Sequence, residues 1–186
     1  RLEALMPVLN RELVVKIHAH RADDILTAIR IAKEFNLRYT IDHCTEGYMI
    51  ADILKEQKVR VILGPLLTER SKIELKNQNI EAPGILAKYG VPVAIMTDHP
   101  CVPEQHLLLC AGVAVREGMP EEDALRAITI NAAQAAGIED RVGSLEVGKD
   151  ADIVVFSGHP FDYRTKIELT MINGKVVYQR NQERKV

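Results

Sequence analysis

Cysteine is scarce in this sequence: Cys44, Cys101 and Cys110 are an odd set with no CxxC spacing. That excludes a disulfide framework and a cysteine-built zinc site, and it points to a reducing, cytoplasmic compartment. There is no excess of positive charge either. Lys and Arg number 24 against 26 Asp and Glu, a net charge of -2, so no nucleic-acid partner is expected. No apolar run reaches the roughly 18 residues of a membrane span, and no charged-then-apolar leader opens the chain, so no membrane partner is expected. The first residue is Arg1, already inside the amphipathic pattern Leu2, Leu5, Met6 and Leu9, which reads as a piece of something longer. What is present is 47% hydrophobic residues over 186 positions, enough to bury a substantial core.

The hydrophobic pattern alternates short β-branched strands with helices. Strands are expected at "LVVKIH" (13 to 18), "RYTIDH" (38 to 43), "VRVILG" (59 to 64) and "VPVAIMTD" (91 to 98). Helices are expected at 22 to 35, with Ile25, Ile29 and Ala32 on one stripe, at 46 to 57, and at 83 to 90, closed by Gly90. Two more follow at about 105 to 117 and 120 to 136, the second opened by Pro120 and an acidic first turn. Strand–helix units of this length imply an α/β fold with a parallel sheet and helical crossovers. From Gly143 the text changes to short strands with glycine turns, and Asn173–Gly174 is a hairpin signal. The expected organisation is an α/β unit over 1–142, a small β-rich unit over 143–180 and a frayed tail over 181–186.

In parallel α/β folds the strand-to-helix loops at the carboxyl ends of strands build the open, reactive face. His18 ends the first expected strand, His43 the second and Asp98 the fourth. Two imidazoles and a carboxylate suit zinc, manganese or iron and leave positions open for water, which such an ion acidifies. Asp98 could then take the proton; the competing reading is a helix cap or the support of a turn. His20 reads as a direct ligand or, more readily, as a substrate contact or a support for the ligands. His99 either orients Asp98 or touches substrate, against a plain solvent role. His106 and His159 read as surface or packing residues, and Cys44 as buried packing on the face opposite His43. The loop Gly64 to Asn79 exceeds ordinary crossover length and suits a lid or clamp, with Arg70 as the residue to test against an anionic group.

The runs "VKIHAHRADDILTAIRIAKEF", "TIDHCTEG", "VPVAIMTDHP" and above all "AITINAAQAAGIEDRVGSLEVGKDADIVVFSGHPFD", with "MINGKVVY" after it, resemble the C-terminal half of a metal-dependent amidohydrolase. The resemblance covers about residues 11 to 180 and lies nearest the imidazolonepropionase-like and prolidase-like branch. It implies the C-terminal half of a (β/α)8 TIM-like barrel over 1–142 and, over 143–180, part of a small composite β-sandwich. It implies a divalent metal, zinc foremost, with manganese or iron as alternatives, held by His18, His43 and Asp98, with Asp98 also the proton-transferring base. The reaction implied is hydrolysis of carbon–nitrogen bonds in non-peptide or cyclic amides of small molecules by metal-activated water. The H-x-H of a first barrel strand is absent, and only four β/α units can be counted against the eight that close a barrel. The expected partners are therefore the missing N-terminal half or, through self-assembly, a second chain. The alternative function is a non-catalytic half-barrel that serves as a scaffold.

Overall fold

The computed structural model describes residues 2–180, so the expected frayed tail at 181–186 lies outside the described residues. Four strands, β1 (Val15–Ala19), β2 (Tyr39–His43), β3 (Arg60–Leu63) and β4 (Val93–Ile95), form one parallel sheet in sequence order. The register pairs Ala19 with His43, His43 with Leu63 and Leu63 with Ile95, so the carboxyl ends of all four strands lie level. Helical segments provide the crossovers, as the periodicity requires: α2 (Ala22–Glu34), α3 (Ala51–Glu56) and α4 (Ala82–Lys88), preceded by the short α1 (Met6–Leu9). On α2 the buried residues Ile25, Ala28, Ile29 and Ala32 repeat at three- and four-residue spacing and face the sheet. Ile25, Ala28 and Ile29 join Ile41, Leu54, Val61, Leu86 and Val93 in one core between helices and sheet. Among the described residues β1 pairs only with β2 and β4 only with β3, so both sheet edges are open.

Three elements depart from the sequence reading. The fourth strand stops at Ile95, because the chain turns at Thr97 and Asp98, where Val102 and Cys101 donate backbone hydrogen bonds to their carbonyls and Asp98 is left-handed (φ 53°). Asp98 therefore sits three residues past the strand end. The helix expected over 120–136 is two, α6 (Glu121–Ala127) and α7 (Ile130–Ala136), which follow α5 (Leu107–Arg116). The β-branched run Ile128-Thr129-Ile130 breaks it: the Thr129 hydroxyl donates to the Leu125 carbonyl at 2.6 Å, and Thr129 leaves helical geometry. Residues 143–152 are turns rather than strand.

The β-rich unit begins at β5 (Ile153–Phe156) and continues in the hairpin β6 (Ile167–Ile172) and β7 (Lys175–Gln179), all antiparallel. Asn173 (φ 50°) and Gly174 (φ 74°) close that hairpin with two left-handed residues, the geometry of the tight turn their pairing predicts. Ahead of it the Asp150 carboxylate accepts from Arg141 Nη2 at 2.6 Å, and Lys149 Nζ donates to the Ser144 hydroxyl at 2.6 Å.

Candidate metal centre

The carboxyl end of β1 runs His18-Ala19-His20, with Ala19 in the core and both imidazoles on the other side. The chain leaves β2 through His43 (φ 67°) and Cys44 (φ 48°), two consecutive non-glycine residues in left-handed backbone. Such geometry costs on the order of 1–2 kcal/mol per residue and concentrates at functional sites. It turns His43 toward β1, while the Cys44 thiol goes into the core against Gly47, as its expected packing role requires. Burial pushes that thiol up to about 12. A Cβ on Gly47 would lie 2.3 Å from the Cys44 sulfur, so only glycine fits this approach.

His18, His20 and His43 thus converge, with one ligand nitrogen from each within 4.8 Å of the others. His18 Nε2 and His20 Nε2 are 2.9 Å apart. Outer contacts orient two of the rings. His43 Nδ1 donates to the Gly64 carbonyl at 2.9 Å, and His20 Nδ1 is hydrogen-bonded to the Thr45 hydroxyl at 2.8 Å. Burial, and then the adjacent His43 ring, pushes His20 down to about 4; burial, His43 and Lys72 lower His18 as well, against Glu74 and Asp98. Both shifts favour the neutral imidazole, the form that ligates metal.

The donor set fits a divalent ion. An ion with Zn–N bonds of about 2.0–2.1 Å holds two ligand nitrogens roughly 2.9–3.4 Å apart at angles between right and tetrahedral. The His18–His20 pair already has that separation. A backbone carbonyl bonded to the far nitrogen of a ligating imidazole is also the usual support for such a ring.

His20 and His43 open onto a cavity of about 90 Å³, lined also by Asp98, Thr68, Lys72 and Gln78 among others. Asp98 faces this cavity but lies outside the imidazole trio. It does not cap the next helical turn, whose N-cap is Pro103 with no side-chain cap. His99 is exposed in the turn beyond it. Arg70 is exposed and its Nη2 donates to the Gln78 carbonyl at 2.8 Å, so it braces the loop 64–79 from within. His106 is exposed, and His159 pairs with Glu121 at 2.9 Å, both away from the cavity, as expected.

Five residues that the strand-end argument did not single out shape this site. Glu46, 7% exposed, accepts from the Ala22 amide that opens α2 and from Asn77 Nδ2, each at 2.8 Å. Its own amide donates to the His20 carbonyl, and the Tyr48 hydroxyl donates to the Asn77 carbonyl at 3.0 Å. Thr45 holds His20, and Glu74 reaches to 3.6 Å from His20 Nε2. The sequence signal for Thr45 and Glu46 is the polar "TEG" between strand and helix; Glu74 lies unmarked within a charged loop.

Known proteins resemble this chain over most of its length. The model of the amidohydrolase family matches residues 11–177. The imidazolonepropionase of Cupriavidus necator is 40% identical over 148 residues, 76% of this chain and 34% of that protein. The imidazolonepropionase of Thermoplasma volcanium is 27% identical over 185 residues, 95% of this chain and 44% of that protein. Among solved structures, an amidohydrolase from Thermotoga maritima superposes with a TM-score of 0.92 at 49% identity, covering 96% of this chain and 47% of that one. A Xaa-Pro dipeptidase shares the fold at a TM-score of 0.73 and 23% identity. The chain spans less than half the length of each of these proteins. With the family match running from before β1 to within β7, and its histidines gathered at the carboxyl ends of parallel strands, the chain belongs to the amidohydrolase family.

Proposed function

We propose that this chain forms the metal-holding half of a hydrolase acting on carbon–nitrogen bonds of amides or cyclic amides, completed by an N-terminal barrel half. The observation that carries the reading is the convergence of His18, His20 and His43 at the carboxyl end of a parallel sheet, with Asp98 on the cavity that His20 and His43 line. Relatives named imidazolonepropionase, and structural neighbours named Xaa-Pro dipeptidase and prolidase, support the reaction class.

A divalent ion at this site, zinc foremost, acidifies water and polarises a carbonyl. His18 and His43 would hold it, His43 through the nitrogen that its bond to Gly64 leaves free. The Asp98 carboxylate would accept the proton of the attacking water and return it to the leaving nitrogen. His20, on the cavity wall, would hold the ion or touch substrate; His99 stands beyond Asp98 at the outer edge, and Arg70 braces the loop that roofs the cavity.

The open edges of β1 and β4 support completion by further strands, since unpaired edge groups are a template for further pairing. In this reading residues 1–142 are half of a barrel and 143–180 part of a sandwich. Val154, Val155, Val176 and Val177, each more than two-fifths exposed on β5 and β7, support a covering layer from the other half. Three free thiols support a reducing cytoplasmic setting.

The test is divalent metal content and amide hydrolysis in the protein with its barrel complete. Metal bound in stoichiometric amount, lost together with activity on chelation, is the expected result. A fully folded protein that takes up no divalent metal overturns the proposal and leaves a scaffold.

A further inference from the structure

The three imidazoles are not the only ligand-type groups at this point. The loop Gly64 to Asn79 folds back over the cavity, and its 3-10 turn Ile73–Leu75 carries Glu74 toward the strand ends. Buried Leu75 anchors that turn, while Ile73 beside it is 81% exposed. Glu74 Oε1 lies 3.6 Å from His20 Nε2, the same nitrogen that stands 2.9 Å from His18 Nε2. The carboxylate lies outside the group of mutually close imidazole nitrogens and approaches it from the His20 side. Its other neighbour is Lys72 Nζ at 3.3 Å.

The loop is held in this position by buried contacts. Asn77, three residues after Glu74, is gripped through its side chain by Glu46 and through its carbonyl by Tyr48, and Gln78 Nε2 donates to the Pro65 carbonyl at 3.1 Å. Glu46 is itself fixed to the α2 N-terminus and to the His20 backbone. One buried carboxylate thus locks the loop that carries Glu74 to the turn that carries His20, and their relative position is set by rigid elements.

We propose that Glu74 is a metal ligand contributed by the loop, placing an anionic oxygen beside the histidine nitrogens. The inference rests on the metal-centre reading above. The histidine nitrogens carry no charge to offset that of an ion, and a carboxylate oxygen from Glu74 would add to Asp98 in neutralising it; nitrogen and oxygen donors together suit zinc and manganese. In this arrangement Lys72 competes with the ion for the same carboxylate. Removing the ammonium therefore helps the ion, because a cation a few ångströms from a dication repels it. An ordinary surface ion pair between Lys72 and Glu74 has no such consequence for metal.

The experiment measures zinc affinity by competition with a chromogenic chelator, and the visible d–d spectrum of the cobalt(II) form, for the intact protein and two variants. Glu74→Gln is expected to weaken zinc at least about tenfold and to change the cobalt band intensity at saturation, because a lost ligand changes the coordination geometry. Lys72→Met is expected to tighten zinc with the cobalt spectrum retained. Both side chains are at least a third exposed, so unchanged melting of the metal-free variants is expected and confirms that they fold. If wild type binds zinc and Glu74→Gln matches it in affinity and spectrum, the ligand assignment is overturned while the metal-centre reading stands. If affinity falls but the cobalt spectrum is identical, Glu74 acts through space and is not a ligand, which also overturns it. If wild type itself binds neither ion, the metal-centre reading fails first.

Discussion

His43 donates its Nδ1 proton to the carbonyl oxygen of Gly64, 2.9 Å away, and thereby presents Nε2 as the nitrogen with a free lone pair. The acceptor is a backbone atom at the end of the neighbouring strand, so the tautomer of the ring is set by the sheet itself. His43→Ala or His18→Ala in the completed protein should reduce divalent metal to a small fraction of wild type, and hydrolysis with it. Elemental analysis of both variants checks this; unchanged stoichiometry in both contradicts the ligand assignment.

Asp98 faces the cavity and caps no helix, so an Asn there should cost chemistry rather than folding. We expect Asp98→Asn to keep part of its metal and to lose at least about a hundredfold in turnover, the scale of a positioned proton-transfer group. Near wild-type turnover with metal in place would eliminate Asp98 as the base.

Asp150 is bound to Arg141 far from the histidines. Because Arg141 is largely exposed, the contact is screened, and Asp150→Ala should lower stability by only about 1 kcal/mol. Turnover per folded molecule should be near normal. A selective collapse of turnover at unchanged melting temperature would assign Asp150 to the reaction instead.

His20 is lowered to about 4 by burial and its histidine neighbours, against 6.5 in an unfolded chain. Between those values the unfolded chain binds more protons than the folded one, so stability of the metal-free protein should fall as pH drops from 6.5 toward 4, and level off below. The loss from this group is at most roughly 3 kcal/mol. Urea melts across that window check it: His20→Asn should flatten the pH dependence, and a wild-type slope retained in the variant would trace the acid sensitivity to other groups.

Gly47→Ala should destabilise the protein by roughly 1–3 kcal/mol, since its Cβ would enter the Cys44 sulfur. The double variant Gly47→Ala with Cys44→Ala should recover part of that loss. Failure of the second change to recover any of it would place the cost in the backbone.

Much of this protein is determined by its sequence alone. The two hydrophobic periods, 3.6 in α2 and near-continuous in the strands, specify parallel β/α units, and Asn173–Gly174 specifies its hairpin, because both depend on local backbone preference. His18 and His43 were legible as candidates because strand ends in such a sheet face one side. What only the tertiary structure decided is which polar groups meet. The deciding features are the left-handed turn at His43 and Cys44, the shortening of β4 that carries Asp98 past its strand, and the clasp of Glu46 on Asn77, 31 positions away. No local preference encodes such pairings. They arise when buried carboxylates and imidazoles, unable to keep their water, must find partners wherever packing has brought them.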